Sequence, residues 1–211
     1  MRHHKELKCA ILSLALLVLG ACLPLAGAVI LAIEPSVLDS KYCLEAHGAV
    51  TLRLRMRLRY HNNGTRPVLT PRFYGLLGYK LFRDQDSVAR NRPEGQVKFR
   101  KQQMLDTAQL DRSKPDPRFF EIVAPGASFA GNSAEVLLLV RSGSGRRSLP
   151  DGDRFLRLTI DHWPDRRAPG ERLRRSWAAL GLLWLDPVES SAGKINVDLK
   201  SEPRPCGGHI D

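Results

Sequence analysis

Residues 50–60 read VTLRLRMRLRY. Val50, Leu52, Leu54, Met56, Leu58 and Tyr60 alternate with Thr51, Arg53, Arg55, Arg57 and Arg59. A period of two sends each set to its own side of an extended chain, so the stretch predicts a half-buried strand. Register follows from the same pattern, because a slip of one residue would carry four arginines into the core. Asn62-Asn63-Gly64 comes next. Asn-Gly tolerates the positive φ of a type I′ turn, and its position predicts a hairpin. The expected return segment, Pro67-Val68-Leu69-Thr70-Pro71, is bracketed by residues without an N–H and belongs at a sheet edge.

Outward from this stretch the pattern repeats. Upstream, Val29–Ile33 is apolar and Glu34-Pro35-Ser36 is turn-prone. Downstream, Gly78–Arg83, Phe119–Val123, Ala134–Arg141, Arg154–Asp161, Gly181–Leu185 and Lys194–Lys200 read as further strands. Leu156, Leu158 and Ile160 share one side of theirs, as do Ile195, Val197 and Leu199. Residues 84–117 are polar and broken by proline, with a short helix expected over Lys98–Leu110. Ala124-Pro125-Gly126 marks a turn, residues 142–148 (SGSGRRS) a loop, and residues 174–180 (RRSWAAL) a helical turn.

About seven short strands with little helix predict an all-β chain folded as an antiparallel β-sandwich. A parallel βαβ arrangement would need helices of about ten residues or more between strands, and no pattern of that kind is visible. With its Pro-Gly turn before an apolar strand, the layout resembles the immunoglobulin-like or fibronectin-type β-sandwiches common among exported proteins. It lacks the Cys…Trp…Cys spacing of true immunoglobulin domains. The resemblance therefore concerns architecture and implies no site.

The N-terminus speaks about location. Residues 1–8 (MRHHKELK) are basic overall, and Cys9 to Ile33 carries no charge. Such a run is long enough as a helix, at about 1.5 Å per residue, to cross a hydrocarbon layer of about 30 Å. Three readings stay open. Pro24 interrupts the run, and Ala26-Gly27-Ala28 offers the small residues of a signal-peptidase site, with cleavage between Ala28 and Val29. Leu19-Gly20-Ala21-Cys22 resembles a bacterial lipobox, in which Cys22 would be lipidated. Third, the run is an uncleaved anchor with its basic end in the cytoplasm. Each divides the chain into a targeting helix or anchor, residues 1–28, and one domain, residues 29–211. All of them put that domain outside the cytoplasm, as a periplasmic, secreted or membrane-anchored module of a bacterial envelope.

Cysteine usage agrees with export. Setting aside Cys9 and Cys22 leaves Cys43 and Cys206, an even pair that reads as a disulfide. Neither has the neighbours of a metal site: no Cys-x-x-Cys occurs, and His47 and His209 each stand alone nearby.

A search for chemistry returns little. The chain has no Gly-x-Ser-x-Gly elbow, no His-Glu-x-x-His and no phosphate-cradling glycine loop. No cofactor, metal or catalytic residue is therefore expected, and the leading expectation is a non-enzymatic binding or structural module. Asp161-His162-Trp163-Pro164-Asp165 is the one polar cluster that could support an envelope enzyme or an enzyme inhibitor. More simply it is a strand running into a proline turn. Asp151-Gly152-Asp153 reads as a turn, since the later ligands of a Ca²⁺ loop are missing. Asn63-Gly64-Thr65 fits the N-glycosylation pattern. Trp163, Trp177 and Trp184 suit a core better than a sugar-stacking platform.

The net charge of +11 comes from 24 Arg and 9 Lys, an excess that a GC-rich genome also produces. Along residues 50–60 successive arginines would lie about 7 Å apart, well within a Debye length of about 8 Å. Asp161, Asp198 and Glu121 are the acids expected to answer them from neighbouring strands. The Arg53, Arg55, Arg57 and Arg59 face then reads as a solvated sheet surface, as a contact for anionic lipid or acidic glycan, or as a protein interface. Nucleic acid fits poorly, because the residues between the arginines are aliphatic and point the other way. The partners expected are thus a membrane, through the N-terminal segment, and an anionic envelope surface.

Overall fold

The computed structural model describes residues 30–72, 76–101, 110, 112–144, 149–163 and 167–206. Two long strands carry the architecture: β1, Leu31–Leu44, and β2, Val50–Asn62, joined through a 3-10 turn at Ala46–Gly48. They pair antiparallel along their whole length, from Leu31 opposite Asn62 to Leu44 opposite Val50, with a bulge between Val37 and Asp39. The alternating stretch is therefore a strand as expected, and its apolar half is buried from Val50 to Tyr60.

The remaining strands are β3, Val68–Pro71; β4, Leu76–Phe82; β5, Gly95–Lys101; β6, Phe120–Val123; and β7, Ser128–Ala130. After them come β8, Ala134–Arg141; β9, Gly152–Asp161; β10, Leu182–Leu183; β11, Val188–Glu189; β12, Gly193–Val197; and β13, Arg204–Pro205. Helix α1, Gln85–Ala89, starts at Asp84, whose Oδ1 accepts from the Ser87 N–H at 2.7 Å. Helix α2 spans Arg167–Ser176. One sheet runs β13-β1-β2-β7, with β8 also on β2; a second runs β11-β9-β4-β5, with β12 also on β9; a third runs β10-β3-β6.

The chain is mostly β, with its sheets in a sandwich-like arrangement. The inner side of β2, with Leu31, Ile33, Val136, Leu138 and Val140, packs on Leu77, Leu81, Leu156, Leu158, Ile160, Ile195 and Val197 of the second sheet. Each such aliphatic side chain stabilises the fold by about 1.5–3 kcal/mol on leaving water. A second cluster joins Leu69, Leu110, Phe120, Trp163, Leu173, Trp177, Leu183 and Leu185 beneath α2 and the third sheet. Trp177 lies edge-on to Phe120 with ring centroids 4.9 Å apart, so two of the three tryptophans are core residues.

Several local expectations are corrected. Residues 62–64 do not turn β2 back onto β3. Neither Asn63 nor Gly64 has a positive φ, so the type I′ geometry is absent. The wholly buried Asn62 instead holds the corner, donating through Nδ2 to Arg66 O and Val123 O at 2.8 Å each and accepting from Gly64 N. β3 is the middle strand of its sheet, not an edge, because its prolines stand at the strand's ends. Lys98–Lys101 belongs to β5 rather than to a helix, and residues 102–109 lie outside the described residues. Glu34-Pro35-Ser36 sits inside β1 instead of turning.

The expected disulfide is present: Cys43 and Cys206 are bonded, with Cα atoms 5.2 Å apart and a sequence separation of 163. It ties the far end of β1 to the strand β13 that runs parallel beside it. Closing a loop of that length stabilises by about 5 kcal/mol through the entropy of the unfolded chain.

Candidate functional site

The outer face of β2 is where the arginine row ends up, and its neighbours are not the acids anticipated. β2 lies between β1 and β8. Asp39 and Glu135 stand opposite Arg55 on either side, Glu34 stands opposite Arg59, and Ser36 opposite Arg57. Glu121 pairs instead with Arg72 in the third sheet, Asp161 ends β9 in the second sheet, and Asp198 accepts from Lys200 N and Ser201 Oγ beyond β12. The reason is topological: the strands carrying those three acids fold into other layers.

Arg53 differs from the other three. It is only 9% exposed, and its guanidinium meets Glu45 at 2.9 Å, while the Thr51 hydroxyl donates to the same carboxylate oxygen at 2.6 Å. The Thr51 hydrogen bond, then that from Arg53, holds the Glu45 carboxyl below the usual glutamate range. Arg55, Arg57 and Arg59 are exposed. Acids stand in register opposite Arg55 and Arg59, where a cross-strand opposite-charge pair contributes about 0.2–1 kcal/mol, while Lys41 stands opposite Arg53.

The polar corner after β9 is organised by its own turn. The Asp161 carboxylate accepts from Trp163 N at 2.8 Å, the local turn that ends the strand. His162 is buried with its ring tilted against Tyr60 at 5.9 Å between centroids. Trp163 Nε1 donates to Trp184 O. Asp165 lies outside the described residues, as do Cys22, Ala28 and Val29. Among the described residues no group of three or more His, Cys, Asp or Glu could hold a metal ion, and no helix is long and apolar enough to cross a membrane.

Two concave surfaces flank the disulfide. A cleft of about 80 Å³ lies among Tyr42, Val50, Val140, Arg141 and Leu199, well short of the roughly 300 Å³ at which small-molecule pockets begin. An open groove of about 510 Å³ runs between β1 and the tail, lined by Ser40, Lys41, Tyr42, Glu202 and Arg204.

A third region escapes the motif search altogether. At the opposite end of β1 the chain enters the sandwich at Ile30, bonded to Asn63 in the turn that carries Arg66, whose guanidinium reaches Ala178 just past α2. Arg172 and Arg175 of that helix are exposed, while Gly170 and Leu173 face the core. The run of arginines around Leu173 (residues 172–175, RLRR) is the signal that marks it.

No protein-family model matches the chain, and no curated protein or solved structure matches it either.

Proposed function

We propose that the chain is an exported β-sandwich of immunoglobulin-like or fibronectin type, held at a membrane by residues 1–28, that serves as a non-enzymatic binding or structural module of the cell envelope. The observation that carries this reading is the Cys43–Cys206 bond in a domain whose first strand starts within the last residues of an uncharged N-terminal run. Such bonds persist where the surroundings are oxidising. At the residue 161–163 corner the Asp161 carboxylate caps its own turn and His162 lies in the core.

Fractionation of source cells, followed by intact-mass analysis, tests the proposal. The expected result is recovery with the membranes after a carbonate wash, with either an unprocessed N-terminus or a diacylated or triacylated Cys22. A chain starting at Val29 in the periplasmic or secreted fraction would keep the export and remove the tether. A full-length chain in the cytoplasmic fraction would overturn both.

A further inference from the structure

The sandwich has two ends, and the one through which the chain enters is basic. Ile30 O accepts from Asn63 N at 2.7 Å, which sets the turn of residues 63–67 beside the entry point. From that turn Arg66 donates to Ala178 O at 3.4 Å, and Pro67 O accepts from Leu182 N at 2.8 Å. The entry, the turn and the end of α2 therefore share one end of the molecule. The disulfide closes the other, a β1 length of roughly 45 Å away.

On α2, Arg172 and Arg175 are three residues apart on the side turned away from Leu173 and Trp177. Arg174 is answered by Glu171 at 3.7 Å and Arg167 by Asp186 at 2.8 Å. Among the described residues no carboxylate lies within ion-pair distance of Arg66, Arg172 or Arg175. Leu180, 41% exposed, follows them in the turn after the helix. Favourable contact with the helix's own C-terminal dipole accounts for arginine in its last turn. Arg66 reaches the same end from a different element, its guanidinium on the Ala178 carbonyl just past the helix.

The length of the tether decides the occupant. The uncharged run extends to Ile33, yet Leu31 and Ile33 are already buried in the sandwich core. No polar linker separates the apolar segment from the folded domain. A membrane that takes up residues 9–28 would therefore meet this end of the sandwich, whereas the β2 arginine face lies along the side of the sheet, with Asp39, Glu135 and Glu34 in register opposite Arg55 and Arg59. We propose that Arg66, Arg172, Arg175 and Leu180 form a contact surface for the headgroups of an anionic phospholipid bilayer. The proposal rests on the membrane-tethered reading above and adds to it which surface faces the lipid.

The test uses the full chain reconstituted in nanodiscs of phosphatidylcholine, with and without phosphatidylglycerol, and phenylglyoxal labelling of arginines followed by peptide mass spectrometry. Attraction to anionic lipid predicts labelling of Arg66, Arg172 and Arg175 about fivefold slower in phosphatidylglycerol discs, an effect removed at high salt. Arg55, Arg57 and Arg59 should label equally in both. Insertion with equal labelling of Arg66, Arg172 and Arg175 overturns the surface alone, as does protection of the β2 arginines in their place. Protection by a soluble acidic polysaccharide in phosphatidylcholine discs, with none from phosphatidylglycerol, also overturns it. Recovery of the chain outside the discs overturns the membrane reading and the surface together.

Discussion

Asn62 is the residue on which the most local structure depends. Its side chain, wholly buried, satisfies two carbonyls from separate segments, Arg66 O and Val123 O, and orients Gly64 N. Asn62→Ala should lower stability by about 2–4 kcal/mol in urea unfolding, since the buried Val123 carbonyl and the part-buried Arg66 carbonyl both lose their donor, at about 1–3 kcal/mol for a buried group. A loss under about 0.5 kcal/mol would show that water replaces the amide. Glu45 makes a second case. Its carboxyl is held below the ordinary glutamate range by Thr51 and Arg53, so its stabilising contribution is complete above that range. The contribution fades as pH falls through the range toward the lowered value. Glu45→Gln should flatten that acid limb of stability against pH and leave its shape above pH of about 6 unaltered. An unchanged acid limb would contradict the pairing. The sequence showed neither role: an asparagine before Asn-Gly looks like turn chemistry, and only the fold reveals that it points inward.

At the scale of elements, legibility follows burial on one side. β2, β8, β9 and β12 alternate between buried and more open positions apart from the buried Arg53, and each is readable because one side faces the core more fully than the other. β1 was missed. From Ser36 to Lys41 it is exposed on both sides, Val37 and Leu38 each at 41%, so no alternation exists to read. β13 covers β1 only at Cys43 and Leu44, and along the open stretch before it Pro35, the bulge after Val37 and the charged Asp39 and Lys41 are devices by which an open strand resists pairing with another chain. β10 and α2 are held to β3 through Gly181, whose φ is +153° and whose added Cβ would lie 2.6 Å from Pro67 O. Gly181→Ala should cost about 1–3 kcal/mol and loosen the cluster around Trp177, seen as a red shift of tryptophan emission below the global unfolding temperature. A variant that unfolds in one step at the wild-type temperature would contradict this account of the joint.

Across the whole molecule, one covalent bond spans nearly the entire domain. Replacing Cys43 and Cys206 together by serine should lower stability by about 2–5 kcal/mol, most of it through greater freedom of the unfolded chain. Unfolding in reducing buffer should show the same loss in the native chain and none in the double variant. The candidate site was less legible than the fold. The arginine row drew notice because its period is two, whereas Arg66 lies over a hundred residues from Arg172 and Arg175 in sequence and reaches the end of their helix through Ala178 and the Pro67–Leu182 bond. The acids beside the row were equally hidden, since strand order, not strand identity, determines them.

The central claim is that this is an extracytoplasmic domain, and the state of its two cysteines in the cell tests it most directly. Free thiols would be alkylated in intact source cells before lysis, and the protein then isolated under denaturing conditions for peptide mass spectrometry. The account predicts that Cys43 and Cys206 are recovered as one disulfide-linked peptide pair, unalkylated, from the membrane fraction. Recovery of both as alkylated thiols in a chain from the cytoplasm would contradict it.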